Sequence, residues 1–190
     1  MKTNKPDPYQ PCPCGSGKKY KFCCYAQGQQ LSSEHPLAQI KKATQFPVSQ
    51  CAVNVGWQQQ GMANVFVIRQ LPNGKYMFGV YLVDLMLLGV KDTFFNTNLS
   101  AESVQSMMRR TDMPVESIDY EDARNLIFGS IEFARQNHFE PHPDWENSKH
   151  IIEPERPFQP KFSFGMDGKP VYYQGIDDEV DEILAKLPKT

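Results

Sequence analysis

Four of the chain's five cysteines fall within thirteen positions, Cys12-Pro13-Cys14-Gly15-Ser16-Gly17-Lys18-Lys19-Tyr20-Lys21-Phe22-Cys23-Cys24, in the pattern C-x-C-x8-C-C. A tetrahedral cation takes four soft ligands at about 2.3 Å, and two tight pairs joined by a short turn deliver them without a large core. Gly15 and Gly17 let the backbone fold back so that amide N–H groups near Ser16 and Lys18 can face the sulfurs and lower their charge density. On a helical turn Cys23 and Cys24 differ by about 100° around the axis, and both reach one ion lying between them. Tyr20, Phe22 and Tyr25 are expected to pack around the cluster and keep water out. The competing reading is a pair of disulfides or four merely buried thiols. A reducing compartment disfavours the disulfides and leaves a metal as the use of so dense a cluster. Gly15-Ser16-Gly17-Lys18 is not a phosphate loop. That loop needs a glycine five residues earlier and Ser or Thr after the Lys, positions held here by Cys12 and Lys19.

The run Cys-Pro-Cys-Gly-Ser-Gly-Lys-Lys-Tyr-Lys-x-Cys followed by a further Cys, within residues 11–25, resembles the SEC-C motif, the zinc-binding tail named after the C-terminus of the SecA preprotein translocase ATPase. The resemblance implies a small zinc knuckle. Its ligands, three Cys and a final His or Cys, map onto Cys12, Cys14, Cys23 and Cys24. It also implies docking: in that tail against a chaperone and the ribosome surface, elsewhere as an accessory on unrelated domains. Nothing implies the translocase motor, whose nucleotide-binding motifs are absent. Iron(II) also accepts thiolates and is the alternative metal.

Outside the cluster the chemistry-bearing residues are sparser. Asn137-His138-Phe139-Glu140-Pro141-His142-Pro143-Asp144-Trp145, with His150 nearby, offers His138, His142 and Asp144 as ligands of a second metal or as base and orienter. Pro141 and Pro143 forbid the helical His-x3-His geometry of metalloproteases, so a loop anchored by Trp145 over the core is the preferred reading. Gly89-Val90-Lys91-Asp92 is a second candidate, with Lys91 and Asp92 facing a cleft; its plainer reading is a solvated loop with an ordinary ion pair. Cys51 reads as a small core residue. No Gly-x-Ser-x-Gly, His-Glu-x-x-His or paired-carboxylate pattern occurs. The favoured function is therefore binding: a docking or adaptor module for a cytoplasmic macromolecular partner, whether ribosome, chaperone or other protein. The alternative is a hydrolytic enzyme built on His138, His142, Asp144 and Asp92, with the knuckle as its targeting tag.

The elements that must position these residues follow from pattern and composition. The chain has 190 residues and 40% apolar content, enough for one ordinary domain and an appendage. The apolar run from Phe78 to Val90 is too short to span a bilayer and contains Asp84, and no leader-like segment opens the chain, so a cytoplasmic protein without membrane contact is expected. Residues through Tyr25 carry +4 and the remainder −6, within a net charge of −2. Four thiolates around a divalent ion would carry −2, so Lys18, Lys19 and Lys21 leave the tail only mildly basic, suited to weak RNA contact or an acidic protein face. The polar stretch Gln27-Gly28-Gln29-Gln30 divides a knuckle with its linker (1–28) from a larger domain (29–190).

In that domain Pro36 to Thr44 reads as a helix, and strand patterns cover Cys51 to Trp57, Met62 to Gln70 and Lys75 to Leu85, the last two joined at Asn73-Gly74. Ser100 caps a helix to Arg110 and Asp119 caps one to about Asn137, both expected on one face of the sheet. A hairpin turning at Met166-Asp167-Gly168-Lys169 and a helix carrying Val180, Ile183, Leu184 and Leu187 complete the chain, with the acids of that last helix solvated. The expected class is α+β: an antiparallel β meander and hairpin packed with helices, plus a small N-terminal zinc knuckle.

Overall fold

The computed structural model describes residues 7–12, 16–26, 35–109, 113–154, 159–175 and 178–187. Its centre is an antiparallel sheet made of β1 (Val48–Asn54), β2 (Met62–Gln70), β3 (Tyr76–Asp84), β4 (Gly89–Leu99) and β5 (Val115–Ser117), in the order β4-β3-β2-β1-β5. Around it lie α1 (Pro36–Ile40), α2 (Trp57–Gln60), α3 (Ala101–Arg109), α4 (Tyr120–Gln136), α5 (Trp145–Ser148) and α6 (Val180–Lys186). The class is α+β with an antiparallel meander, as expected.

Local chemistry sets the meander. Gly74 takes φ 78° at the β2–β3 turn, and Asn73 Oδ1 accepts the Lys75 N–H at 3.0 Å, fixing a register from Met62 opposite Asp84 to Gln70 opposite Tyr76. The β1 pattern stops at Asn54 rather than Trp57, because Gly56 at φ 79° turns the chain into α2. At the next corner the Asp84 carboxylate accepts the N–H groups of Met86 (2.7 Å) and Leu87 (3.1 Å), so the chain reverses directly into β4. Gly89-Val90-Lys91-Asp92 is thus the start of an 11-residue edge strand, not a loop.

Both faces of the sheet are covered. Val65, Val67, Met77, Tyr81 and Val83 pack with Ala123, Leu126, Ile127 and Ile131 of α4. The alternate residues Phe66, Ile68 and Phe78 pack with Val104 and Met108 of α3. Because strand side chains alternate faces, the two helices lie on opposite sides, correcting the expectation of one shared face. The helix starts differ in their caps. Ser100 Oγ accepts the Ser103 N–H at 3.2 Å, whereas Asp119 makes no side-chain cap bond and begins α4 through its carbonyl, which accepts the Ala123 N–H at 2.8 Å. The helix from Pro36 ends at Ile40, where a 3-10 turn over Ala43–Gln45 takes up the chain.

Arg69, 1% exposed, crosses the core as a rigid fork. It donates to the carbonyls of Ile151 and Phe46 (2.6 Å each), to the Tyr120 hydroxyl (3.0 Å) and to Glu153 (2.8 Å). A planar guanidinium is the one side chain able to satisfy that many acceptors at once. In the C-terminal part, Met166 and Lys169 close a tight turn, and its flanks bond elsewhere: Gly165 N–H to Leu85 O (2.7 Å) and Val171 N–H to Met86 O (3.0 Å).

Candidate metal centre

A short loop gathers three of the four clustered thiols. Pro11 and Lys19 form a bridge, with the Cys12 N–H donating to Lys18 O at 2.7 Å and the Tyr20 N–H to Gln10 O at 2.9 Å, so the two arms of the knuckle run side by side. Gly17 at φ 71° makes the reversal. A 3-10 turn over Tyr20–Phe22 then delivers Cys23, whose N–H donates to Tyr20 O at 3.1 Å, and Cys24 next to it. The Sγ atoms of Cys12, Cys23 and Cys24 lie within 4.8 Å of one another. Sulfurs bound at about 2.3 Å to a tetrahedral ion are about 3.8 Å apart, so the three sulfurs stand near the spacing that a shared ion would require. Cys14, the fourth expected ligand, lies outside the described residues.

The surroundings suit thiolate ligands. Cys12 is buried, Cys23 and Cys24 are half-buried, and no disulfide joins the three. Ser16 Oγ sits 3.1 Å from Cys23 Sγ and 3.4 Å from the Lys18 N–H, which leaves its hydroxyl proton available to the sulfur. Tyr20 stacks at a tilt on Tyr25, ring centroids 5.8 Å apart. Burial, then the neighbouring Cys24 and Cys12 thiols, push the Tyr20 phenol above its ordinary value. Phe22 does not shield the cluster: it is 67% exposed, Tyr25 is exposed as well, and Lys21 Nζ stands 4.5 Å from the Phe22 ring centre and 4.0 Å from that of Tyr9.

The other predicted residues divide. Asp92, His142 and Asp144 come together, with one ligand atom of each within 4.8 Å of the others. The His142 N–H donates to Val90 O at 2.9 Å, which seats its loop on the free edge of β4, and His142 Nδ1 accepts the Asp144 N–H at 3.2 Å. Asp92 and Asp144 are exposed. His138 stands apart from that group, in the left-handed region at φ 70° just past the end of α4. Trp145 anchors the loop as expected, edge-on to Phe128 at 5.8 Å and to Tyr81 at 5.9 Å. Lys91 pairs with Asp178 at 2.5 Å rather than with Asp92. Asp178 is therefore no solvated helix acid. Burial alone would raise its pKa, but hydrogen bonds from Lys91, the Gly175 N–H and the Tyr172 hydroxyl outweigh burial and hold it below the ordinary carboxylate value. Cys51 is a core residue of β1, and burial pushes its thiol up to about 12, leaving it inert.

Among the described residues no helix is long and apolar enough to cross a membrane. Residues 10–26 match the SEC-C motif. A stretch of 27 residues, 14% of this chain, is 63% identical to the protein translocase subunit SecA of Lachnoclostridium phytofermentans, of which it covers 3%, so the chain spans a small fraction of the curated relative it matches. No solved structure matches the chain. The segment that gathers Cys12, Cys23 and Cys24 is a SEC-C motif, and its thiol cluster marks it as a metal-binding module.

Proposed function

We propose that residues 1–28 are a zinc knuckle that docks the chain on a cytoplasmic macromolecular partner, ribosome, chaperone or other protein, and that residues 29–190 are a separate α+β domain. The observation that carries this reading is the coincidence of the SEC-C match with three converging thiols. Cys12, Cys14, Cys23 and Cys24 would hold zinc, or iron in its place. Four protein ligands close the coordination shell and leave no position to activate water, so the metal's contribution is folding, on the order of 10 kcal/mol for a structural zinc site.

The outward face supports docking. Tyr9 and Phe22 are 64% and 67% exposed beside Lys21, with Lys18 and Lys19 also exposed. Aromatic rings held in water next to cations are suited to a partner's surface rather than to the cluster's own shielding. Weak RNA contact through Lys18, Lys19 and Lys21 belongs to the same face. Pull-down and ribosome co-sedimentation with the full chain and with Lys21→Glu/Phe22→Ala test it. Docking predicts that the double variant loses the partner while keeping its metal. Undiminished partner recovery would contradict the assignment, and binding that collapses between two salt concentrations would identify RNA as the contact.

A second reading has one observation in its favour. Asp92, His142 and Asp144 form a three-ligand set open to solvent, suited to a divalent cation in a hydrolytic site. It requires a second metal equivalent in the full chain, lost in Asp92→Asn and kept when the four cysteines are replaced.

A further inference from the structure

Three segments distant in sequence meet around a recess of about 460 Å³ in the large domain. Lys41 and Thr44 follow α1; Phe128, Ile131 and Arg135 lie at i, i+3 and i+7 along α4; Trp145, Lys149 and His150 come from α5 and the 3-10 turn after it. The volume falls in the range of about 300–1,000 Å³ usual for small-molecule sites. Its floor is apolar and rigid, because Phe128, Ile131, Trp145 and Ile152 are all buried and Trp145 is wedged edge-on between two other rings.

The rim is cationic after its acids are accounted for. Glu146 is held by Lys149 at 2.6 Å. Glu153 is held by two buried guanidiniums, Arg69 at 2.8 Å and Arg124 at 3.5 Å. Arg135 reaches Glu140 at 3.2 Å, on a pair exposed to solvent. No ion pair among the described residues engages Lys41. His150 reports the same field: burial, then Lys149 and Lys41, lower its pKa. A recess with an aromatic floor, where the Phe128 and Trp145 rings meet at 81°, and a surplus cation at its mouth is complementary to an aromatic body carrying an oxyanion.

We propose that this recess binds a small organic anion, with an aromatic or similarly flat body against Phe128 and Trp145 and a carboxylate or phosphate head at Lys41 and His150. The site lies in the large domain and does not depend on the reading of the knuckle. The test titrates the full chain with phenyl phosphate, phenylacetate and benzylamine, following tryptophan fluorescence and amide shifts. Saturable binding of phenyl phosphate or of phenylacetate is expected, and which of the two binds tighter identifies the head group. The fluorescence change should vanish in Trp145→Phe, while Lys41→Glu, at an exposed position, should weaken binding about tenfold without altering the melting temperature. Any of these results would overturn the proposal: no saturation by either anion at about 10 mM, far above the range of useful sites; benzylamine binding as tightly as the anions; or Lys41→Glu titrating like the unmodified chain. Inorganic phosphate matching phenyl phosphate would equally remove the role of the aromatic floor.

Discussion

Cys23 occupies the tightest point of the knuckle, between the 3-10 turn that presents it and the Ser16 hydroxyl 3.1 Å from its sulfur. Replacing it with Ser exchanges a soft sulfur for a hard, protonated oxygen, so an ion held as proposed would lose one of its four ligands. Cys23→Ser should release the metal and unfold residues near it, while the melting temperature of the large domain stays unchanged; a strongly lowered melting temperature there would refute the two-module description. Arg69 is the corresponding residue of the large domain. Arg69→Met keeps the volume of the stem but leaves the Ile151 and Phe46 carbonyls buried without donors, and a loss of about 3 kcal/mol in urea unfolding is expected. The two residues differ in how well the sequence announces them. The clustered cysteines are close neighbours in the chain, so their spacing alone points to the chemistry. Arg69 sits in a strand whose pattern says only that position 69 alternates with Ile68, and its partners lie 82 and 23 residues away. Phe22 misled in the opposite direction: an aromatic beside a metal cluster reads as packing, and only the folded structure shows that it faces solvent.

At the scale of elements, the corner between β3 and β4 governs how the sheet meets its helix. Gly89 has φ 68°, and a Cβ there would stand 2.9 Å from Ala134 Cβ and 3.0 Å from Ser130 O. Gly89→Ala combines a left-handed backbone cost with overpacking against α4, and should destabilise the domain by about 2–4 kcal/mol in equilibrium unfolding. Beyond that corner the Lys91–Asp178 pair fastens the start of the C-terminal helix to β4. The folded pKa of Asp178 lies below its ordinary value of 3.8, so the pair's contribution is complete above that value and is lost as pH falls through the folded one. Lys91→Met should speed amide exchange across residues 171–175 and 178–187 at pH 6, and the difference from the unmodified chain should shrink as pH falls below the ordinary carboxylate value of 3.8. The meander was legible because Asn73-Gly74 is a turn signal between apolar runs. β4 was not, since Asn96, Thr97 and Asn98 give an edge strand the polarity of a loop. The placement of α3 and α4 was equally hidden: a β2 sequence apolar on both faces, from Val65 to Ile68, is compatible with helices on one side or on two.

For the whole molecule, the thiol cluster and the sheet domain make distinct demands on the sequence. The knuckle has few residues with which to build a core, so under the proposed reading its order would rest on a bound ion together with backbone bonds such as Cys12 N–H to Lys18 O. The sheet domain buries apolar residues on both faces of five strands, which is where its order comes from. Its recess and its Asp92, His142 and Asp144 group arise only where segments far apart in sequence converge, which is why the sequence could nominate His138, His142, Asp144 and Asp92 together but not separate His138 from the other three. The proposed docking role therefore depends on the metal. Elemental analysis of the full chain, purified without added zinc, should give one equivalent of zinc or iron per chain, and none when Cys12, Cys14, Cys23 and Cys24 are all replaced by Ser. A metal-free native chain, or an equivalent that survives all four replacements, would contradict it.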